Sequence, residues 1–199
     1  PHEDATARAS GAEDVLESAM IFDDLASALG DCHFVTGASA RARTIGWPTL
    51  VPRECARRLV EESGSGIAAA VFGPEKSGLT NEDLDRCHAL LTIPADPDFS
   101  SLNLAMAVQI LCYELRLATA AGIETGPVRD VPLASGEELE RFYAHLEQVL
   151  ASSGFLDPTN PRFLMRRLRR LFARAYPDQN EVNILRGILA SLDPAAGPR

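Results

Sequence analysis

Short apolar runs alternate with helical stretches along the first 120 residues of the chain. The runs are four or five residues long, and in the stretches between them apolar positions recur at helical spacing. Such alternation is typical of an α/β fold built on a parallel sheet. The pattern predicts strands at 19–22, 33–36, 68–72 and 89–93, and helices at 24–29, 52–62, 81–87 and about 102–120.

Local signals mark the starts of several of these helices. Pro52 suits a first helical position, and Thr80 followed by Asp83 resembles a capping box. The helix at 102–120 begins with a run that is apolar nearly all round, which a surface helix would not be. Its own sheet can cover one side of it, and a partner subunit is a candidate cover for the other.

The pattern changes after residue 121. Glycines and prolines mark 122–133 as a linker, and the period is helical from there on. Ser135 and Glu138 form another capping box at the start of this region. We therefore predict an α/β domain over 1–121 and a small all-α domain over 134–199. Three apolar stripes define its helices: Leu139, Phe142, Tyr143, Leu146, Val149 and Leu150; Leu164, Leu168, Leu171 and Phe172; and Leu185, Ile188, Leu189 and Leu192.

Composition narrows the class of protein. The 199 residues are 46% apolar and 24% charged, which argues against wholesale disorder. No apolar stretch approaches the roughly 18 residues that a membrane-spanning helix needs, and no secretory leader is recognisable. We expect a soluble, cytoplasmic protein.

Charge is distributed unevenly between the two predicted domains. The formal net charge of −9 argues at first against a nucleic-acid partner. However, residues 1–130 carry 10 basic and 20 acidic side chains, whereas 131–199 carry 9 and 8. Because arginine suits bidentate contacts with phosphate, the tail is a candidate RNA-binding region. Six arginines lie within 162–174, where there is no Asp or Glu: Arg162, Arg166, Arg167, Arg169, Arg170 and Arg174.

The four cysteines do not form a metal-binding pattern. Cys32-His33 and Cys87-His88 are adjacent pairs at the starts of predicted strands, where neighbouring side chains point to opposite faces and cannot share an ion. We expect reduced, buried thiols and no metal.

Three loops at the carboxyl ends of predicted strands are rich in small residues: 37–41, 72–80 and 93–103. Open α/β sheets bind ligands at this edge, and small residues let the backbone approach a flat ligand closely. Taken singly, each loop is more typical of an ordinary turn or helix cap. No nucleophile elbow, P-loop or dinucleotide fingerprint is present. Spacing alone therefore predicts a small-molecule or cofactor-binding α/β domain with a basic helical tail.

Taken together, these segments resemble a known family. The stretches VFGPEKSGLTNEDL (71–84) and IPADPDFSSLNLAMAVQ (93–109) resemble the second and third signature motifs of SPOUT-superfamily RNA 2′-O-methyltransferases. The tail resembles that of the bacterial tRNA (cytidine/uridine-32) 2′-O-methyltransferases within this superfamily. The matching tail segments are LERFYAHLEQ (139–148), LRRLFARA (168–175) and NILRGILAS (183–191).

This resemblance implies an α/β fold with a deep C-terminal trefoil knot, an exception to unknotted topology. It implies that the knot loops bind S-adenosylmethionine and that two subunits pair across the knot helices as a homodimer. The polar motif residues nearest the target ribose would be Glu75, Ser101 and Asn103. The residues carried over to the cofactor site are Ala38, Ser39 and Ala40 in the first loop, Gly73 in the second, and Ile93, Ser101, Leu102 and Asn103 in the third.

One departure from the family pattern matters. Members begin with a strand, a loop and a helix that bear a first motif, Asn-x-Gly-Asn-x-(small)-(small)-x-Arg-(small), whose arginine would activate the ribose 2′-hydroxyl. The resemblance places Pro1 just after that unit. We therefore expect these 199 residues alone to bind cofactor weakly and to transfer no methyl group.

The implied reaction is S-adenosylmethionine-dependent methylation of the ribose of nucleotide 32 in the tRNA anticodon loop, with Arg166, Arg167, Arg169 and Arg170 binding RNA. Some of these arginines could instead pair with acids of the first domain. Two alternative functions stay open. One is a non-catalytic RNA-binding or dimerisation protein on a degenerate knot, and the other is a ribosomal RNA 2′-O-methyltransferase of the same superfamily.

Overall fold

A parallel sheet forms the centre of the α/β part of the chain. The computed structural model describes residues 2–40, 46–96, 98, 101–122 and 129–193. Within these residues the sheet has four strands in the order β2-β4-β1-β3. Every neighbouring pair is parallel, so the carboxyl ends of the strands share one edge. The predicted α/β class is confirmed, while the trefoil knot stays a prediction. The strands are β1 (Cys32–Ala38), β2 (Thr49–Leu50), β3 (Ile67–Val71) and β4 (Ala89–Leu91).

Two strand assignments differ from the sequence pattern. The predicted strand at 19–22 is wrong: this segment pairs with no strand among the described residues, and Ile21 is 97% exposed. Conversely, β2 was not predicted because two residues carry no periodic signal. The pairing of β2 with β4 is completed by hydrogen bonds from Leu90 N–H to Pro48 O (2.7 Å) and from Thr92 N–H to Leu50 O (3.0 Å).

The helices of the α/β part begin where their capping residues predict. Pro52 is the first residue of its helix, and Thr80 and Asp83 form a reciprocal capping box. The predicted helix at 81–87 ends earlier than expected, at Leu84, because the hydrogen bonds that follow join residues three apart: Arg86 N–H donates to Asp83 O (3.2 Å) and Cys87 N–H to Leu84 O (3.0 Å). The six helices described here are α1 (Glu3–Ala7), α2 (Glu13–Glu17), α3 (Leu25–Leu29), α4 (Pro52–Glu62), α5 (Asn81–Leu84) and α6 (Leu104–Ala120).

Both faces of the sheet are covered. Successive strand residues point to opposite faces, so Phe34 and Leu91 pack toward α4 and α6, whereas Val35 and Leu90 pack toward α3 and α5. On the second face, the indole N–H of Trp47 donates to Cys87 O (2.8 Å). Each fully buried apolar side chain contributes roughly 1.5–3 kcal/mol to folding.

The tail is helical, as its pattern predicts. Its three helices, called the helical module below, are α7 (Gly136–Ser152), α8 (Leu164–Ala175) and α9 (Gln179–Leu192). The Ser135–Glu138 capping box is present, and Phe142 is the largest of the almost fully buried side chains of the module core. None of the helices in the described residues combines the length and apolar composition that crossing a bilayer requires.

Close backbone packing joins the module to the amino edge of the sheet. The Glu137 N–H donates to Gly30 O (3.0 Å), just before β1 begins. A Cβ on Gly136 would overlap Leu29 O, so only glycine permits this approach. The predicted linker 122–133 lies partly outside the described residues, and the domain boundaries stay predictions.

Candidate cofactor pocket and arginine helix

The three predicted loops enclose one cavity of about 200 Å³ at the carboxyl edge of the sheet. Glu75 lines it together with all but one of the predicted cofactor-binding residues; the exception is Asn103. Residues 41, 97, 99 and 100 of these loops lie outside the described residues. The lining includes Ala38, Ser39 and Ala40 of the first loop, residues 72–79 of the second, and Ile93, Ser101 and Leu102 of the third.

Backbone geometry gives the second loop its shape. A Cβ on Gly73 would overlap the backbone of Gly78 and Leu79, so the two ends of the loop touch. Gly78 has a φ of +65°, in the left-handed region, and its N–H donates to Pro74 O (2.7 Å). The loop is therefore a closed turn with its peptide groups beside the cavity.

Asn103 connects the third loop to the second. As the N-cap of α6, its Oδ1 accepts from the N–H groups of Ala105 (3.0 Å) and Met106 (3.4 Å). Its Nδ2 donates to Oε1 of Glu75 (3.3 Å). Because both ends of the amide are used, Asn103 holds the Glu75 carboxylate in place.

Two of the four predicted RNA-binding arginines in α8 are paired with carboxylates. Nε of Arg166 donates to both oxygens of Asp85 (2.8 and 3.0 Å). Arg169 forms a two-bond pair with Glu140 (2.6 and 2.9 Å), which also contacts Arg86 (2.9 Å). Burial raises the pKa of Glu140, but the hydrogen bonds and charge of Arg169 outweigh burial and hold that pKa below its ordinary value.

The other two predicted arginines have no carboxylate partner in the described part of the chain. Arg167 is exposed, and Arg170 is half-buried with its Nε unpartnered among the described residues. Pairing with acids of the first domain, the alternative role for these arginines, therefore holds for Arg166 but not for Arg167 or Arg170 among the described residues.

Two family models match consecutive parts of the chain. Residues 1–113 match the SpoU rRNA Methylase family, and residues 137–199 match the tRNA methyltransferase TrmJ, C-terminal domain. The protein named tRNA (cytidine/uridine-2'-O-)-methyltransferase TrmJ from Salmonella choleraesuis is 50% identical over 196 residues, which cover 97% of this chain and 81% of that protein.

This chain belongs to the TrmJ family. The crystal structure of TrmJ from Z. mobilis is 34% identical, with a TM-score of 0.80 over 96% of this chain and 81% of that one. A probable methylase family protein from Haemophilus influenzae is 40% identical, with a TM-score of 0.57 over 98% of this chain and 80% of that one.

A cluster of aromatic rings joins the two parts of this TrmJ-family chain, and sequence reasoning missed it. Tyr176 stacks on His88 with ring centroids 5.8 Å apart and planes 8° apart, and His88 stacks in turn on Phe34. The Arg58 guanidinium lies 5.0 Å from the Tyr176 ring centroid. Tyr176 adopts a left-handed φ of 50°, where a non-glycine residue is uncommon. The sequence signal that could have predicted this contact is an aromatic residue directly after an amphipathic helix.

His88 is a neutral member of this cluster. Its Nδ1 accepts a hydrogen bond from the Val35 N–H (3.1 Å). Burial lowers the pKa of His88 to about 4, and the nearby Arg58 charge acts in the same direction. His88 also lines a cavity of about 440 Å³ between the helical module and the amino edge of the sheet, which sequence reasoning did not predict.

The cysteines differ in burial. Three are buried free thiols, and burial raises the pKa of Cys87 to about 12. Cys112 is exposed on α6, so the prediction that all four are buried is wrong for this residue. Among the described residues, no three His, Cys, Asp or Glu side chains are grouped to hold a metal ion.

Proposed function

We propose that this chain is an S-adenosylmethionine-dependent enzyme that methylates the ribose 2′-oxygen of nucleotide 32, a cytidine or uridine, in the tRNA anticodon loop. The observation that carries this proposal is the convergence of three separated loops on one cavity at the carboxyl edge of the sheet, in a chain of the TrmJ family. We expect the protein to act in the cytoplasm.

The cavity suits the two chemical halves of S-adenosylmethionine. Leu91, Leu102 and Leu104 give it an apolar wall for a purine ring. Glu75 and Lys76 are the charged residues among the described residues that line it, so the cavity offers an anionic group for the positively charged sulfonium or ammonium and a cationic group for the carboxylate of the ligand. The small residues of the first loop leave room for hydrogen bonds between backbone and ligand.

S-adenosylmethionine supplies a methyl group on a positively charged sulfur. The remaining requirement is orientation, because the ribose hydroxyl must lie in line with the bond that breaks. Asn103 and Glu75 are linked by a hydrogen bond at the edge of the cavity, and Ser101 lines it. We assign these three residues to orienting cofactor and ribose, while the first-motif arginine of the family would activate the ribose 2′-hydroxyl.

A second copy of the chain is the partner we expect on α6. Met106 and Tyr113 are 59% and 57% exposed, and they lie seven residues apart on one face of this helix. Leu117 continues the same face. Such an apolar stripe on a helix that packs against its own sheet favours burial by a partner subunit.

The decisive experiment incubates tRNA transcripts with methyl-labelled S-adenosylmethionine. It compares the 199-residue chain with a version extended at its N terminus by a first-motif segment. We expect labelling by the extended version, with the methyl group mapped to nucleotide 32. A transcript with a 2′-deoxyribose at nucleotide 32 is the matched control and should stay unlabelled.

The same assay separates the alternatives. Binding of tRNA without methyl transfer by either version would favour the hypothesis of a non-catalytic RNA-binding protein. Labelling of a ribosomal RNA fragment in preference to tRNA would favour the hypothesis of a ribosomal RNA methyltransferase. Equal labelling of the 2′-deoxy transcript would contradict methylation at that oxygen.

A further inference from the structure

Helical spacing divides the residues of α8 between two faces. Positions three or four apart lie on the same side of a helix. The set we call the docking face consists of Arg166, Arg169 and Ala173, continued by Tyr176 at the helix end. The set we call the free face consists of Arg167, Arg170, Leu171 and Arg174, and the exposed N-cap residue Phe163 lies just before it in the chain.

The docking face is occupied by the rest of the protein. Arg166 pairs with Asp85, Arg169 pairs with Glu140, and Ala173 is buried. Tyr176 stacks on His88. Because a half-buried ion pair is costly to separate, the docking arginines are committed to holding α8 in place.

The free face is open and carries unpaired positive charge. Arg167 and Arg174 are exposed, and no ion pair among the described residues uses either of them or Arg170. Leu171 is 47% exposed on the same side. Phe163, the N-cap residue just before the helix, is 48% exposed, and its ring centroid lies 5.9 Å from the Arg166 guanidinium. Cations beside an exposed aromatic ring are the combination with which proteins bind single-stranded nucleic acid.

We propose that the free face of α8 is the RNA-contact surface of this protein, with Arg167, Arg170 and Arg174 on phosphates and Phe163 against an unpaired base. Arg166 and Arg169 then position the surface and do not touch RNA. Residues 167 and 174 are about 10 Å apart along the helix axis, the length of roughly three phosphates on one strand. The inference rests on the proposed function, because it takes tRNA as the partner.

The test measures tRNA binding by fluorescence anisotropy over a series of KCl concentrations. A triple variant, R167Q/R170Q/R174Q, should bind at least tenfold more weakly at low salt. Its plot of log affinity against log salt should be less steep by about 2 to 3, because three phosphate contacts are lost. Phe163→Ala should weaken binding without changing that slope, because stacking involves no counterion release.

Two controls separate this surface from general charge and from folding. R53Q/R57Q/R141Q removes the same charge from exposed positions on α4 and α7 and should leave affinity and slope unchanged. Arg166→Gln should lower the thermal midpoint and leave the slope unchanged. A flatter slope in Arg166→Gln, with none in the free-face triple variant, would overturn the inference.

The outcomes also separate this inference from the proposed function. A wild-type slope in the free-face triple variant, with methyl transfer to tRNA by the extended chain intact, overturns the inference alone. Free-face-dependent tRNA binding with no methyl transfer supports the inference and overturns the proposed function. Equal weakening by the α4–α7 control variant would overturn the assignment to α8, since it would show a general charge effect.

Discussion

Asn103 performs two tasks with one amide. Its oxygen caps α6 and its nitrogen holds Glu75 beside the cavity. Since the first task is local and the second is tertiary, the sequence pattern could predict a cap near this position but not the contact with Glu75. A substitution can separate the two tasks.

Asn103→Asp should keep the helix cap and lose the contact with Glu75. Aspartate is as good an N-cap as asparagine, but two carboxylates repel each other. We expect unfolding by urea close to wild type and a clearly slower methyl transfer in the extended chain. Asn103→Ala should lose both and be less stable by about 1 kcal/mol. Wild-type transfer in Asn103→Asp would contradict the orienting role.

His88 should make stability depend on pH in a defined window. Its pKa in the folded state is about 4, lowered from 6.5, so between these values the unfolded chain binds more protons. Stability is therefore full above about pH 6.5 and falls as the pH drops toward 4, by up to about 3 kcal/mol. Urea unfolding at pH 7.5 and at pH 5 should show about 2 kcal/mol of this loss.

The matched variant is His88→Asn, whose side-chain oxygen can still accept from the Val35 N–H. In this pH window the variant should take up one proton fewer on unfolding, so its free energy of unfolding should depend less steeply on pH. An unchanged dependence would assign the effect to other groups. The lowered pKa of the Glu140 carboxylate contributes stability that is fully present above its ordinary pKa and is lost as the pH falls below that value.

Among the elements, those with their own local signals were predicted well. Both capping boxes and the Pro52 start are sequence-local, and the structure contains all three. The prediction of a strand at 19–22 was wrong because an apolar run indicates only a tendency to form a strand, and a strand also needs a neighbouring strand to pair with. The two-residue β2 exists only through its pairing with β4, which no local pattern encodes.

The candidate sites show the same division. The sequence located the cavity loops because open α/β sheets bind ligands at the carboxyl ends of their strands, and parallel strands bring these ends together whatever the loop sequence. The split among the arginines was not predictable, since Arg166 and Asp85 are 81 residues apart in sequence. Which cations are free is therefore decided by tertiary contacts.

Tyr176 should stabilise the attachment of α8 through its ring. Tyr176→Ala removes the stack on His88 and the contact with Arg58, and we expect a loss of about 1–3 kcal/mol in the free energy of unfolding. Tyr176→Phe keeps the ring and should unfold close to wild type. Equal losses in both variants would show that the hydroxyl, and not the stack, matters.

At the scale of the whole molecule, the exposed stripe on α6 predicts a dimer. A stable interface buries about 800 Å² on each partner, and an apolar helix face can provide its centre. We expect the wild-type chain to sediment at about twice its mass of 21.4 kDa. The double variant M106D/Y113D should sediment as a monomer, because charge at the centre of an apolar interface is costly to bury.

A matched exposed position distinguishes this interface from general surface effects. Ile184 on α9 is 63% exposed, which is close to the exposure of Met106, and it lies in the helical module. If α6 forms the interface, Ile184→Asp should leave the dimer intact. A monomeric wild type would contradict the dimer, and a monomeric Ile184→Asp variant would show that the interface lies on the helical module.

Because the cavity borders α6 at Leu104 and Ala107, loss of the dimer should also weaken S-adenosylmethionine binding, which titration calorimetry would measure.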